Sequence, residues 1–191
     1  MNIINSISNK KTIPSSTYLY YTNGSSLTGF TVVSATVSST VGNPASSYQV
    51  TGSGPQYAYI NPGSITSLSN KTIKFDVYIE KLCNFFLCNS SGSGYFLRLD
   101  ARGGSSYSGF STSSSFTTWS APTSGYQFTA NTWYTIKIQI TSAGSASYYI
   151  NGNLQQSGYT MSSLSNYIGI HGDAGGGNSY FDNIYVYSGL V

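Results

Sequence analysis

The sequence predicts an all-β protein built as a two-sheet antiparallel β-sandwich. Strand-like runs alternate between apolar and polar residues, Gly, Ser, Asn and Pro separate these runs, and helical periodicity is nearly absent. The 191 residues are enough for one sizeable core, and sandwiches of roughly 200 residues are commonly one domain. We therefore expect one domain over residues 28–191, preceded by an N-terminal arm and first edge segment over 1–27.

The clearest strands lie in residues 131–152, where two alternating runs are joined by a turn of small residues. A period of two is expected of half-buried strands. Asn151 and Gly152 tolerate a positive φ, which a type I′ turn requires, so the chain is predicted to reverse again there. The predicted inward positions of the two strands are Tyr134, Ile136, Ile138, Ile140, Ala146, Tyr148 and Ile150.

A second clean alternation covers residues 71–80, where apolar residues at odd positions from 73 to 79 alternate with polar or aromatic ones. It predicts a strand with one face in the core and one in solvent. The full set of predicted strands is 30–37, 45–51, 56–61, 71–80, 84–88, 94–100, parts of 106–119, 132–141, 145–151, 166–171 and 180–187.

Composition limits the classes of function. Only 7% of residues are charged, while 15% are aromatic and 39% hydrophobic, so hydroxyl and amide groups must keep the surface soluble. Such surfaces suit extracellular or particle-bound proteins, and the low charge leaves self-association open. The net charge of +3 comes from dispersed basic residues with no cluster beyond Lys10-Lys11, which argues against nucleic acid as a partner.

The N-terminal residues carry no apolar run of the length a secretory signal needs, and no segment has the roughly 20 apolar residues of a membrane helix. We expect no membrane insertion. The composition is of an extracellular type, yet the sequence shows no secretory signal. A virion protein would account for both observations, as would replacement of a natural leader with Met1. The expected location is a virion or extracellular surface.

Cys83 and Cys88 are the only cysteines. Two strands joined by the four intervening residues would bring the sulfurs together, and a disulfide there would stabilise by about 2 kcal/mol. Two unpaired, buried thiols are an equal alternative. A zinc site is disfavoured, because His171 is the only histidine and is expected to end a strand at the surface.

Three stretches carry a family resemblance. The pattern of Asn131–Gly152, the run NYIGIHG at 166–172 and the ending YFDNIYVYSG at 180–189 are similar to the concanavalin A-like jelly roll, in particular its laminin G-like branch of non-catalytic modules. GNPASSYQV at 42–50 resembles the turn and strand that often open such modules. The resemblance covers roughly residues 28–189 and implies a jelly-roll β-sandwich, with galactose-binding-like jelly rolls as the alternative topology.

Catalysis is not expected. The chain has five acidic residues and lacks the Glu-x-Asp-x-Glu strand pattern that glycosidases of similar fold share. Asp76 and Glu80 are four strand positions apart, about 13 Å, which is too far for the usual pair of carboxylates. His171 and Asp173 lie close in sequence, but no Gly-x-Ser-x-Gly elbow accompanies them. A polysaccharide-cleaving enzyme is kept only as a remote alternative.

Asp182 is a candidate metal ligand, because alternation places it on the same side as Ile184 and Val186, and a buried carboxylate needs compensation. The resemblance implies that an acidic residue here often helps to hold a structural calcium ion. Asp173 and Asn178 flank the loop GDAGGGNS and would add oxygen ligands. The alternative is a hydrogen-bonded turn aspartate without metal.

Carbohydrate binding is the function most consistent with the composition, since sugars dock on aromatic rings while polar side chains bond their hydroxyls. The candidate platform residues are Trp119, Tyr107, Tyr126 and Tyr95, with ordinary packing as the alternative role for each. The sequence thus predicts a non-catalytic lectin-like module on a virion or cell surface with glycans as partners. The alternative is a structural, self-assembling subunit of a larger particle or filament.

Overall fold

The computed structural model describes residues 18–52, 56–104, 107–122, 124–173, 175 and 177–191. Across these residues there are fifteen β-strands and one short 3-10 helix, Pro62–Ser64. The strands are β1 (Tyr18–Thr22), β2 (Thr31–Val33), β3 (Thr36–Ser38), β4 (Ser47–Thr51), β5 (Gln56–Ile60), β6 (Lys71–Ile79), β7 (Leu82–Cys88), β8 (Gly94–Asp100), β9 (Gly109–Ser115), β10 (Thr118–Trp119), β11 (Thr132–Ile140), β12 (Ser145–Ile150), β13 (Asn153–Thr160), β14 (Tyr167–Gly172) and β15 (Asn178–Ser188).

The strands form two packed sheets. Sheet A has the order β13-β12-β11-β6-β15-β4-β3, with β1 also paired to β15, and sheet B has the order β10-β9-β8-β7-β14-β5-β2. Every pairing between these strands is antiparallel. The predicted all-β, two-sheet antiparallel jelly-roll sandwich is therefore confirmed. No helix within the described ranges is long and apolar enough to cross a membrane.

The predicted inward faces form the core between the sheets. On β6, the alternate residues Ile73, Phe75, Val77 and Ile79 are fully buried, and the ring of Phe75 stacks on Phe85 of sheet B at 4.1 Å. On β11 and β12, all seven predicted inward residues are buried as well. The period of two in these strands thus locates the core correctly, because each strand has one face in solvent.

The predicted reversal after β12 is confirmed. Asn151 and Gly152 have φ values of 50° and 85°, and Ile150 pairs with Asn153 across the turn. The strand that follows, β13, was missed by the sequence analysis. Its sequence, NLQQSGYT, is almost entirely exposed at the edge of sheet A and shows no apolar alternation.

The N-terminal segment is described in part. Of the predicted arm and edge segment 1–27, residues 1–17 lie outside the described residues. Tyr18–Thr22 forms β1 and pairs with the second half of β15, while β4 pairs with the first half of β15 on the same side. Residues 18–22 therefore extend sheet A.

The positions of the two cysteines exclude one of the two sequence-based alternatives, the disulfide. Cys83 and Cys88 lie in a single strand, β7, rather than in two strands joined by a turn, and both are free and buried. Five positions in a strand span about 17 Å and reverse the side-chain direction. Cys83 accordingly packs in the core, whereas Cys88 packs in an aromatic cluster on the outer face of sheet B, so a disulfide is excluded by geometry.

A β-bulge in β15 corrects the predicted orientation of Asp182. The register with β6 shifts between Asp182 and Tyr185, and Asn183 adopts a positive φ of 48°. Phe181 and Ile184 both enter the core, so the two residues between them face away from it. Asp182 therefore lies opposite Asp76 on the outer side of sheet A, although the segment around Asn43 buries it completely.

Candidate functional site: a cleft on the outer face of sheet A

A row of tyrosines and lysines crosses the outer face of sheet A. The backbone register pairs Tyr149 with Lys137, Lys137 with Lys74, Lys74 with Tyr185, and Tyr185 with Tyr21. Side chains directly opposite each other in an antiparallel sheet are about 5 Å apart at Cβ. Five strands therefore present two cations flanked by aromatic rings, a group that we call the Tyr-Lys row.

A cleft of about 650 Å³ lies over the two lysines of this row and the positions beside them. Its volume falls within the roughly 300–1,000 Å³ that is usual for small-molecule sites. Hydroxyl, amide and ammonium groups alternate with apolar surface around it. The lining residues are Thr72, Lys74, Thr135, Lys137, Asn151, Gly152, Tyr187 and Val191.

One wall of the cleft is the turn between β12 and β13. The side-chain oxygen of Asn151 accepts a hydrogen bond of 2.9 Å from the backbone N–H of Thr135, and the Asn151 N–H donates to the Thr135 carbonyl at 2.9 Å. These paired bonds fix the turn against β11. The positive φ of Gly152 keeps this wall free of a side chain.

The opposite wall is the segment after β15. Thr72 Oγ1 donates to the Gly189 carbonyl at 2.9 Å and accepts from the Val191 N–H at 3.0 Å. Gln139 Nε2 donates to the Val191 carbonyl at 2.8 Å. The segment is therefore held across β6 and β11, and its contacts give the cleft a defined shape.

The two lysines of the floor carry positive charge into the cleft. Lys137 Nζ lies 4.2 Å from the centre of the Tyr149 ring and donates to the Val191 carbonyl at 3.4 Å. Within the described part of the chain, the ion pairs involve Arg98 and Arg102 on sheet B, and neither Lys74 nor Lys137 pairs with an aspartate or a glutamate. Both lysine residues are half-buried.

Tyr187 lines the cleft, and two further tyrosines continue from it along the outer face of sheet A. Tyr21 stacks on Tyr185 with ring centres 4.4 Å apart, and Tyr185 stacks on Tyr187 at 5.8 Å. Burial raises the pKa of the Tyr185 hydroxyl, and the neighbouring Tyr21 raises it further. Burial likewise raises the pKa of Tyr187, with Tyr18 adding to the effect. These hydroxyls stay neutral and can both donate and accept hydrogen bonds.

The acidic residues nearest to the lysines are engaged by neutral donors. Thr135 Oγ1 donates to Asp76 Oδ1 at 2.6 Å, and Asn183 Nδ2 donates to Asp76 Oδ2 at 3.0 Å. Asp182 accepts 2.7 Å bonds from the backbone N–H groups of Asn43 and Asn183. Burial raises the pKa of Asp182, the two backbone bonds oppose this, and the nearby Asp76 adds to the rise.

The predicted calcium ligands are not brought together by these contacts. Asp182 bonds to the two backbone N–H groups, whereas Asp173 accepts from Arg98 of sheet B at 3.4 Å. Asn178 is four strand positions from Asp182 on β15, about 13 Å away. Among the described residues, no group of three or more His, Cys, Asp or Glu is arranged to hold a metal ion. Structural calcium at Asp182, Asp173 and Asn178 stays a prediction.

The predicted sugar-platform residues have different surroundings. Tyr95 is buried in the core with its hydroxyl 2.7 Å from the Ser162 N–H, which corrects its predicted role as an exposed platform. Tyr107 and Tyr126 are half-buried and lie near each other, since Ser108 and Tyr126 pair through their backbones. Trp119 pairs with Ser113 through its backbone, and its side chain lies outside the described part. The residues other than Tyr95 remain predicted platforms.

The outer face of sheet B carries an aromatic cluster that is largely closed. Phe116 stacks between Tyr57 and Tyr59 at 4.3 and 4.9 Å, and it also contacts Phe86 at 5.2 Å. His171 lies beside this cluster within β14, and its burial lowers its pKa to about 4. The prediction of a surface position for His171 was therefore wrong. The ring of Phe116 already covers the apolar surface that a ligand would need.

Sequence reasoning missed the cleft, although part of its signal was visible. The polar positions Thr72 and Lys74 of β6, and Thr135 and Lys137 of β11, were assigned to the solvent face only as the complement of the core. The pattern of alternation does not show which strands pair in register, nor that residues 189–191 pack back across β6, because both depend on the tertiary structure. The arrangement can bind a polar ligand that also presents an apolar ring face.

Solved structures share this fold. The carbohydrate binding module CBM66 from Bacillus subtilis matches with a TM-score of 0.62 at 18% identity, over 84% of this chain and 96% of that chain. Domain 4 of AbnA, an extracellular arabinanase from Geobacillus stearothermophilus, in complex with arabinotriose, matches with a TM-score of 0.57 at 15% identity, over 88% and 81%. The binding domain of Paraclostridial Mosquitocidal Protein 1 matches with a TM-score of 0.62 at 14% identity, over 92% and 49%.

At these identities the likeness establishes the fold. These structures are a carbohydrate binding module, a domain in complex with arabinotriose and the binding domain of a mosquitocidal protein, and their match to this chain agrees with the predicted β-sandwich. The concanavalin A-like, laminin G-like branch itself stays a prediction. No family model and no curated protein matches the sequence.

Proposed function

We propose that this chain is a non-catalytic carbohydrate-binding module that binds glycans in the cleft on sheet A. The observation that carries the proposal is the cleft of about 650 Å³ over the Tyr-Lys row. Its lining combines one tyrosine, Tyr187, which can contact the apolar side of a sugar, with hydroxyl, amide and ammonium groups for the sugar hydroxyls. The likeness of fold to a carbohydrate binding module and to a domain in complex with arabinotriose supports this choice among the functions of the fold.

The proposal also includes the family branch, the location and the loop residues that the sequence suggests. Membership of the concanavalin A-like, laminin G-like branch fits a non-catalytic module of one domain. Display on a virion or extracellular surface fits a surface that is polar and weakly charged. Trp119, Tyr107 and Tyr126 stay the alternative candidate residues for sugar binding, and variants can separate them from the cleft.

A glycan array followed by calorimetry tests the proposal. We expect saturable binding to one class of glycan, and we expect Tyr187→Leu to weaken it about tenfold, which corresponds to about 1.4 kcal/mol. The leucine keeps apolar volume at the cleft but removes the ring face and the hydroxyl.

Tyr57→Leu on the outer face of sheet B is the control, because it removes the same ring and hydroxyl from a tyrosine away from the cleft. Its affinity should equal that of the wild type once thermal unfolding shows that both variants are folded. Loss of binding in Trp119→Ala or Tyr126→Ala, with Tyr187→Leu unaffected, would move the site to the loops. A wild-type protein that binds no glycan would overturn the function.

A structural, self-assembling subunit is the second candidate function. Three exposed valines, Val32, Val33 and Val37, lie on the neighbouring edge strands β2 and β3. Edge strands with unpaired backbone groups and apolar side chains are templates for association with another chain. Sedimentation measured beside the glycan array distinguishes the two: ordered oligomers without a sugar response favour the scaffold.

A further inference from the structure

We infer that the glycan bound in the cleft on sheet A is acidic, with a carboxylate or sulfate group held between Lys74 and Lys137. This inference rests on the proposed function and names its substrate class. The two lysines are direct cross-strand partners in the register of β6 and β11. A single anionic group above the sheet can accept a hydrogen bond from each ammonium.

The free protein has a local electrostatic cost at this point. Like charges directly opposite each other in a sheet destabilise it, and neighbouring strands bring these two together at about 5 Å between Cβ atoms. Lys137 directs its Nζ to the main-chain oxygen of Val191 and to the Tyr149 ring. An anion bound between the lysines would remove the repulsion and add charge-assisted hydrogen bonds.

Among the described residues, no aspartate or glutamate pairs with either lysine. In the chain as described, Lys74 makes no ion pair, and the acidic residue nearest along its strand is Asp76. Both oxygens of Asp76 accept hydrogen bonds from Thr135 and Asn183. Two positions along a strand correspond to about 6.7 Å, so Asp76 lies beside the lysine pair and leaves the space above it open.

The tyrosines on either side of the lysines suit the rest of such a ligand. From Tyr149 to Tyr21 the Tyr-Lys row spans four strand spacings, about 19 Å in all. This length accommodates several sugar units of an oligosaccharide with the acidic unit over its centre. The neighbouring sugars would then extend toward Tyr149 and Tyr21, while the two ammonium groups bind the charged group.

Matched glycans that differ only in charge test the inference. The array would hold uronic acid oligosaccharides beside their methyl esters, and sulfated oligosaccharides beside their desulfated forms. We expect the wild type to prefer the charged member of its best pair by at least about tenfold. That preference should decrease as the salt concentration rises from about 50 to about 500 mM, because the electrostatic screening length then falls from about 14 to about 4 Å.

Lys74→Gln tests the assignment to the lysine pair. We expect this variant to lose about tenfold more affinity for the charged glycan than for its neutral partner, so that the preference for charge disappears. Lys81→Gln is the charge-matched control, because Lys81 is exposed in the turn after β6 and does not line the cleft. It should keep the full preference.

The outcomes separate the inference from the proposed function. Equal binding of charged and neutral glycans, or a preference that survives Lys74→Gln, overturns the inference and leaves glycan binding intact. Absence of binding to every glycan overturns both. Thermal unfolding adds an independent readout, since Lys74→Gln removes a repulsion and should not lower the melting temperature of the free protein.

Discussion

At the scale of single residues, burial decides between roles that residue types leave open. Tyr95 and Tyr185 are both tyrosines on predicted strands, yet Tyr95 packs in the core and Tyr185 lies in the Tyr-Lys row. The sequence could not separate them, because β8 lies centrally in sheet B while the outer face of β15 opens to the cleft. Aromatic residues alone therefore predict a sugar site poorly in a chain with 18 tyrosines.

His171 provides a pH prediction at this scale. Burial lowers its pKa from 6.5 to about 4, so the folded state disfavours the charged imidazole. A lowered pKa contributes stability that is present above 6.5 and is lost as the pH falls toward 4. The loss from this group should reach about 3 kcal/mol, since one pKa unit corresponds to about 1.4 kcal/mol.

Urea unfolding at several pH values measures this effect. His171→Phe keeps an aromatic ring beside Phe86 and removes the titration, so its curve should be flatter than that of the wild type between pH 6.5 and 4. His171 is the only histidine, which makes the comparison specific. Parallel curves for the two proteins would contradict burial of a neutral histidine.

At the scale of elements, alternation predicted the strands that have one buried face. It located β6, β11 and β12 and their inward residues, because each has a core side and a solvent side. It failed for β13, whose exposed and polar residues pair only at one edge. It also failed at Asp182, because a β-bulge shifts the side-chain period by one residue and the sequence carries no signal that predicts this bulge.

The aromatic cluster on sheet B supplies a prediction for β14. A Cβ at Gly169 would lie 3.2 Å from Phe116 and 3.3 Å from the Ala58 carbonyl oxygen. Gly169→Ala should therefore push Phe116 away from Tyr57 and Tyr59 and destabilise the fold by about 1–3 kcal/mol, as overpacking usually does. Denaturant unfolding gives the free energy, and quenching of tyrosine fluorescence should report the movement of the ring.

Gly158→Ala on β13 is the matched substitution in open space. Nothing lies within 4 Å of the added Cβ, but Gly158 has a φ of 73°. Its cost should come only from the left-handed backbone, about 1–2 kcal/mol, and should leave the aromatic cluster unchanged. A change in the cluster with Gly158→Ala, or none with Gly169→Ala, would show that Phe116 is not held by close packing on β14.

At the scale of the whole molecule, the two sheets enclose one core, and the reactivity of the two buried cysteines reports whether the fold opens as one unit. Strand β7 lies centrally in sheet B, with Cys83 facing the core and Cys88 facing the outer cluster. Burial raises the pKa of each thiol to about 12, so the reactive thiolate is scarce in the folded state.

We expect neither thiol to react with a thiol-specific reagent until the protein unfolds, and both then to react at the same rate. The central position of β7 ties the two faces of sheet B to one cooperative unit, so exposing either sulfur should require global opening. Mass spectrometry of labelled peptides from a single sample gives both rates under identical conditions. Because no disulfide links the two cysteines, a reducing agent should leave the melting temperature unchanged. Faster labelling of Cys88 than of Cys83 would mean that the cluster around Phe116 opens separately from the core.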